Sequence, residues 1–185
     1  MPTIRCTIKN TSTKAIMNFA VKHEAVFQRR TGTVSGSVTY NNTEEQNAMP
    51  PGDIREMEIY GVHYGEMPQS VSVSVDFVEF TDGSRWGPDT LKNGEAIDGA
   101  RAGMKAEAAA LMAVLATKGV AGVMQVLESI QPEPDDSLPR SPEWLNGFRG
   151  GVGWIRWRVR GKSPVEIEKE LERLATPKEK RSQRQ

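Results

Sequence analysis

The sequence has little cysteine and histidine: Cys6 is the one cysteine, and His23 and His63 are the two histidines. A single cysteine cannot form an internal disulfide, which excludes a small secreted domain held together by disulfide bridges. Metal-ligand spacings such as HExxH or paired CxxC are absent, so neither a metal nor another cofactor is expected. Because neither histidine has an evident partner in the sequence, no residues for nucleophilic catalysis are visible.

Long apolar runs and a net charge are absent as well. Basic residues interrupt every apolar run among the first 30 residues, and the most apolar stretch, 106–116, contains Glu107 and is too short to cross a bilayer. The chain as it stands is therefore expected in the cytoplasm, or outside the cell if a signal peptide has been removed. The formal net charge is zero, divided into −3 for residues 1–90 and +3 for residues 91–185. This contrast indicates two regions of different character, and it is too small for a nucleic-acid-binding domain.

Apolar and polar side chains alternate through residues 1–90. Period-two alternation places one set of side chains on one face of a strand, and turn signals such as PPGD at 50–53 separate the alternating segments. Several short strands without a helical stretch between them predict an antiparallel β-sandwich over about residues 3–88. The alternating sets are Ile4, Cys6 and Ile8; Ala15, Met17, Phe19 and Val21; Val34, Val38 and Tyr40; Met57 and Ile59; and Val71, Val73, Val75 and Phe77.

The segment VSVSVDFVEFTDGSRWGPD at 71–89 predicts a hairpin in some detail. The inward-facing set changes parity after Phe77, and a bulge near that residue explains the change by inserting one residue. A two-residue loop would place Trp86 opposite Glu79, whereas a three-residue loop with Gly83 in the left-handed conformation buries Trp86 beside apolar neighbours. We expect the three-residue loop, with the cross-strand pairs Val78–Trp86 and Glu79–Arg85.

The stretches IKNTSTKAI, PGD before a strand, and VDFVEFTDGSRWG resemble a family of uncharacterised bacterial modules. These modules are similar to immunoglobulin-like or fibronectin-type sandwiches and often occur in exported proteins. The resemblance covers roughly residues 3–90 and lies in turns and strand ends. It therefore implies a fold and no catalytic residue.

Helical periodicity replaces alternation after Pro88. An apolar stripe at spacings of 7, 4, 3 and 4 begins at Ile97, with Asn93 as its expected N-cap, and Gly119 is expected to break this helix. Ser-Pro-Glu at 141–143 begins another helix, and the capping box Ser-Pro-Val-Glu at 163–166 begins the last one. The sequence thus predicts an α+β fold.

The predicted domains follow from these patterns. Residues 1–90 form the β-sandwich domain, and residues 91–176 form a helical region of about four helices. A Pro-rich linker lies at 131–140 within that region, and a disordered basic tail occupies 177–185.

The phrase DGARAGM at 98–104 returns as NGFRGGV at 146–152, with Gly, Arg and Gly in step. A helical hairpin written twice, and shortened by about one turn in the second copy, would explain the repetition. Glycine at these positions would let two helix backbones approach closely where the hairpins meet. The alternative is a chance similarity between two Gly-rich helix starts.

The stretch GWIRWRVRGK at 153–162 holds the candidate binding residues. Trp and Arg are enriched in binding hot spots, and Trp154 and Arg158 stand four apart, where they can form a cation–π pair on a helix. The alternative is that the rings pack in the core and the Arg stems cover them, with Trp157 expected to be the more exposed ring. Period-two alternation from Trp154 to Arg160 also leaves a strand open, although the helical period fits a longer run. The candidate set is Trp154, Trp157, Arg156, Arg158 and Arg160.

Two functions from different classes fit this sequence. The favoured one is a non-catalytic binding or structural module with a protein partner, an anionic membrane surface being the second choice. A DNA-binding helix-turn-helix in GKSPVEIEKEL is disfavoured, because its four glutamates would face phosphate. The alternative function is a hydrolase-like or regulatory enzyme whose active residues are not visible in the sequence.

Overall fold

A computed structural model describes residues 4–27, 33–41, 47–59, 68–129, 134 and 140–175. The chain divides into two compact units, Met1–Gly94 and Glu95–Gln185. Antiparallel strands come first and helices follow, which confirms the mixed α+β class. His63, most of the predicted linker at 131–140 and the predicted tail at 177–185 lie outside the described residues.

Two antiparallel sheets make up the described part of the first unit. A two-stranded sheet pairs β1 with β4, and a four-stranded sheet has the strand order β3-β2-β5-β6. The strands are β1 (Ile4–Lys9), β2 (Ile16–Val26), β3 (Thr33–Asn41), β4 (Ile54–Ile59), β5 (Ser70–Phe80) and β6 (Arg85–Trp86).

Both sheets contribute side chains to one apolar cluster. Phe19 and Val21 of β2 are fully buried in it, and Met57 of β4 is buried there with 9% exposure. The alternating apolar residues of β1 pack against the same cluster, as period-two alternation requires of a half-buried strand. In the centre of the larger sheet, β2 is buried on both faces over residues 16–21.

The predicted bulge in β5 is present. Ala20 of β2 pairs with Phe77, whereas the next residue, Val21, pairs with Val75. Asp76 is therefore the extra residue, and it moves Val78 onto the face that packs in the core cluster.

The hairpin after the bulge has the predicted loop and register. Gly83 has a φ of 82°, and the cross-strand pairs are Val78–Trp86 and Glu79–Arg85. The prediction that Trp86 is buried is wrong, because its side chain is 61% exposed. Since β6 is two residues long and lies at the outer edge of its sheet, no strand among the described residues lies beyond it to cover the ring.

Three helices follow in the described part of the chain, rather than the predicted four or so. They are α1 (Asn93–Glu128), α2 (Pro142–Val159) and α3 (Pro164–Ala175). The difference lies in α1, whose 36 residues join two helical segments across a kink at Gly119, where φ is 63° and ψ is −168°. The predicted break at Gly119 is therefore present, within one element.

Two hydrogen bonds of Arg156 show that α1 doubles back. The Nε atom donates to Oε1 of Glu107 at 2.7 Å, and Nη1 donates to the carbonyl oxygen of Ser129 at 2.8 Å. A straight helix would separate Glu107 from Ser129 by about 33 Å. Since one guanidinium reaches both residues, the chain reverses direction between them, at the non-helical Gly119.

The helix α1 is also long and apolar enough to cross a membrane, judged by length and composition. By length and composition, the expectation that the apolar stretch is too short to cross a bilayer is therefore wrong. Core helices of folded proteins pass the same test, so the finding has little weight by itself. The reversal at Gly119 means that α1 is not one straight rod.

All three helices share the core of the second unit. Leu111 from α1, Ile155 from α2 and Ile167 from α3 are almost fully buried in one apolar cluster. The capping box that begins α3 is confirmed, because the Glu166 carboxylate accepts hydrogen bonds from the N–H and the hydroxyl of Ser163. The pKa of Glu166 is lowered, chiefly by the hydroxyl and N–H of Ser163.

Candidate functional site

The repeated Gly-x-Arg phrase forms the contact between α1 and α2. A Cβ at Gly99 or Gly103 would overlap a backbone carbonyl of α2, and a Cβ at Gly147 or Gly151 would overlap a backbone carbonyl of α1. The two helices therefore touch backbone to backbone over consecutive turns, which glycine alone permits. The carbonyl partners are Trp144 for Gly99, Phe148 for Gly103, Ala96 for Gly147 and Ala100 for Gly151.

This contact is reciprocal under the same shift of 48 positions that relates the two phrases. Gly99 contacts the backbone of Trp144. A shift of 48 positions takes Gly99 to Gly147 and takes Trp144 back to Ala96. Gly147 and Ala96 are in contact in the same way. Gly103 and Gly151 follow the same rule. They therefore occupy equivalent places, as a duplicated hairpin predicts, and the contact has the form of an isologous interface within one chain.

The candidate binding residues lie on α2, and the helix predicted for this stretch is confirmed. Arg156 is buried, with 6% of its side chain exposed, and pairs with Glu107, of which 1% is exposed. Both charges are out of water, and the guanidinium satisfies the carboxylate and the Ser129 carbonyl together. Arg156 is thus a structural residue, which the sequence prediction did not foresee.

Arg158 and Arg160 also have partners inside the second unit. Nε of Arg158 donates to Oε1 of Glu170 at 2.6 Å, and Nη2 of Arg160 donates to the carbonyl oxygen of Leu127 at 3.1 Å. The predicted cation–π pair is confirmed, because the Arg158 guanidinium lies 4.9 Å from the centre of the Trp154 ring. The Trp154 ring itself packs against the helical core cluster.

The carboxylate of Glu170 joins two arginines. Burial acts to raise its pKa, but hydrogen bonds and charge from Arg173 and Arg158 outweigh burial, and the pKa is lowered. The ionised form is therefore the one that holds α2 to α3.

Trp157 differs from the other candidates, because 73% of its side chain is exposed. Along the same helix face, Gly153 stands one turn before it and Gly150 about two turns before it. Space around Gly150 is open, with nothing within 4 Å of where a Cβ would be. We call Gly150, Gly153, Trp157 and Arg160 the Trp157 face: one large exposed ring, the open backbone of Gly150, a half-buried Gly153, and an exposed cation one turn further on.

A buried polar cluster in the first unit was missed at the sequence level. The Glu79 carboxylate, which is almost fully buried, accepts hydrogen bonds from Nδ2 of Asn18 at 2.6 Å and from Nη2 of Arg85 at 3.2 Å. The bulged residue Asp76 accepts from the N–H and hydroxyl of Thr90 and from the N–H of Leu91. In the sequence, the change of side-chain parity near Asp76 was the one feature that could have indicated this cluster.

The hydrogen bonds of Asp76 decide its ionisation. Burial acts to raise the pKa of Asp76, but the hydrogen bonds from Thr90 and Leu91 outweigh burial and lower it. The ionised carboxylate therefore ties the bulge to the segment that follows β6. Among the described residues, no three or more His, Cys, Asp or Glu side chains are grouped to hold a metal.

The start of α1 also differs from the prediction. Asn93 is the first helical residue rather than the N-cap, and the Asp89 carboxylate accepts hydrogen bonds from the N–H groups of Asn93 and Gly94. The side-chain oxygen of Asn93 instead accepts from the hydroxyls of Ser37 and Thr39 on β3.

Comparison with known proteins gives little. No protein-family model matches the chain, and no curated protein matches it. A crystal structure of a hypothetical protein from Peptoclostridium difficile 630 matches with 15% sequence identity and a TM-score of 0.36, covering 50% of this chain and 80% of that chain. A likeness of this size decides neither fold nor function, so the functional argument rests on the geometry above.

Proposed function

We propose that the protein is a non-catalytic binding module that docks a partner protein on the Trp157 face. The observation that carries the proposal is the exposure of Trp157, 73% of whose side chain is in solvent. Burying a Trp removes about 150–250 Å² from water, and such rings form the centres of many protein interfaces.

The surroundings of the ring support a docking role. Because Gly150 is exposed and nothing lies within 4 Å of where its Cβ would be, a partner backbone or helix can approach α2 closely there while the indole fills a cleft. Arg160 is exposed at the edge of this face. Acidic residues are absent from α2 after Glu143, and Arg156 and Arg158 engage one glutamate each on the neighbouring helices, Glu107 and Glu170. The partner surface is therefore apolar at its centre and acidic at its rim.

A protein fits this face better than an anionic membrane. A helix that lies in a membrane interface inserts a whole apolar stripe. In α2 that stripe is turned into the core of the second unit, where Phe148, Val152 and Val159 are buried. Trp157 would be the single large apolar side chain of α2 left to enter lipid. Nucleic acid is disfavoured because Arg156 and Arg158 are already bound to carboxylates.

Site-specific photo-crosslinking tests the proposal. A photoreactive amino acid at position 157 is expected to capture a defined protein in cells, whereas the same group at Val165, which is 75% exposed in α3, is not. The captured protein is then purified, and its dissociation constant is measured with the wild type, Trp157→Ala and Val165→Ala. We expect Trp157→Ala to weaken binding by about tenfold to a hundredfold and Val165→Ala to leave it unchanged.

Two results would reject this function. One is equal capture from positions 157 and 165. The other is a shift of Trp157 fluorescence on adding vesicles of anionic phospholipid, without a protein crosslink, which would assign the face to a membrane.

We also make two proposals about the architecture of the two units. We infer that the two sheets form an immunoglobulin-like sandwich, which the shared apolar cluster of β1, β2, β4 and β5 supports. We also infer that the helical unit is a duplicated hairpin, which the reciprocal glycine contact supports. Superposing residues 97–130 on 145–174, with a gap of one helical turn, in an experimental structure tests the second point, because a duplication requires the buried stripes to coincide.

A further inference from the structure

The outer edge of β5 has no strand partner over residues 70–75 in the part of the chain that the structure describes. On one side, β2 pairs with β5 along its whole length from Ser70 to Phe80. On the other side, β6 pairs with β5 at Val78 and Glu79. The open segment is exposed, with 36% of Val71 and 38% of Val73 in solvent.

This edge lacks the features that keep sheet edges apart. Folded proteins protect exposed edges with charged residues, proline or bulges, since unpaired N–H and C=O groups recruit further strands. Residues 70–75 read Ser-Val-Ser-Val-Ser-Val and contain none of these. The bulge at Asp76 comes after them. An open, uncharged edge of alternating side chains is suited to strand addition.

The sequence of this edge is complementary to itself. Antiparallel pairing about a two-fold axis at Val73 places Val71 opposite Val75 of the second copy and Ser72 opposite its Ser74. Valine then meets valine on one face of the sheet, and hydroxyl meets hydroxyl on the other.

Charges near the edge do not oppose this arrangement. Within the sheet, Ser72 and Ser74 pair with Glu24 and Lys22 of β2. These two β2 side chains form an ion pair with a distance of 2.8 Å between Nζ and Oε1, and so neutralise each other. No like charges are therefore brought together by the antiparallel register.

We propose that β5 pairs with β5 of a second copy of this chain, which joins the two four-stranded sheets into one continuous sheet. The proposal is independent of the Trp157 face, which lies in the other unit. Since the pairing segment is short, the dimer is expected to form reversibly as concentration rises.

Two double variants with the same number of substitutions test the register. Ser72→Lys/Ser74→Lys places lysines opposite lysines twice across the axis, and sedimentation equilibrium of the full chain should give at least tenfold weaker dimerisation than in the wild type. Ser72→Lys/Ser74→Glu places opposite charges at the same two points, and its dimer should be at least as tight as that of the wild type. Both serines are exposed, so circular dichroism should show both variants folded.

A mixing experiment gives a second, independent check. Val73→Lys and Val73→Glu should each be monomeric, because identical charges face each other on the axis, and an equimolar mixture should form a heterodimer. Val165→Lys is the control and should dimerise as the wild type does. A wild type that stays monomeric at every concentration overturns the proposal. A dimer that is as tight in Ser72→Lys/Ser74→Lys as in the wild type overturns it as well. If Trp157→Ala then abolishes that dimer, the dimer forms through the Trp157 face.

Discussion

Gly103 lies so close to Phe148 that a Cβ on the glycine would overlap the phenylalanine carbonyl oxygen. The shifted pair, Gly151 and Ala100, repeats the relationship from the other helix. Contact between α1 and α2 therefore depends on the absence of side chains at these positions. Replacing one glycine with alanine, which adds a single methyl group, tests this dependence.

Gly103→Ala is expected to destabilise the protein by about 1–3 kcal/mol, because the methyl group meets backbone that cannot rotate away. Gly150→Ala on the open side of α2 is the matched control. Nothing lies within 4 Å of its Cβ position, so higher helix propensity should stabilise the protein by about 0.5–1 kcal/mol. Urea unfolding measures both values, and equal effects of the two substitutions would contradict the close helix contact.

The buried pair of Glu107 and Arg156 gives a second prediction. Glu107→Ala leaves a guanidinium buried without its carboxylate and should cost about 3–5 kcal/mol. Replacing both residues, as Glu107→Leu/Arg156→Met, removes both charges and should recover stability to within about 1–2 kcal/mol of the wild type. Thermal or chemical unfolding of the single and double variants decides the point. A double variant as unstable as Glu107→Ala would show that the pair contributes through something other than mutual charge compensation.

The two tryptophans of α2 should respond differently to truncation. Trp154→Ala removes a ring that packs on the core cluster and lies beside Arg158, and should cost about 2 kcal/mol. Trp157→Ala removes an exposed ring and should change stability by less than about 0.5 kcal/mol. Denaturant midpoints compare the two variants, and a large loss for Trp157→Ala would mean that the ring is core.

Acid should weaken the attachment of α3 to α2 through Glu170. The folded state holds the pKa of this carboxyl below its ordinary value of 4.5, so its contribution is complete above that pH and is lost as the pH falls through the folded-state pKa. Glu170→Gln should therefore lower the urea midpoint at about pH 7, and its difference from the wild type should shrink at about pH 3. Glu168→Gln, an exposed glutamate of the same helix, is the control and should leave the midpoint nearly unchanged at both pH values.

Local features of the first unit could be predicted from the sequence. The bulge and the three-residue hairpin loop follow from side-chain parity and from one glycine, because both are decided within about a dozen residues. The exposure of Trp86 could not be predicted in the same way. It depends on strand order, since the residue is well paired with Val78 and yet lies at the edge of the sheet.

The same distinction applies to the candidate site. Helical period and ring spacing correctly placed Trp154, Trp157 and the cation–π pair. The roles of the arginines were not predictable, because Arg156 meets a glutamate 49 positions earlier in the chain and a carbonyl 27 positions earlier. Charge pattern along one helix therefore overestimates how much of that charge remains available to a partner.

The bulge at Asp76 also determines which mutations of the coding sequence this protein can tolerate. Loss of that one codon would remove the extra residue and leave a regular strand in which Val75 and Val78 still lie on the same face. Glu79 would keep the opposite face, where Asn18 and Arg85 hold it. A three-nucleotide deletion at this position should therefore spare the core-facing residues and remove the hydrogen bonds that Asp76 accepts from Thr90 and Leu91.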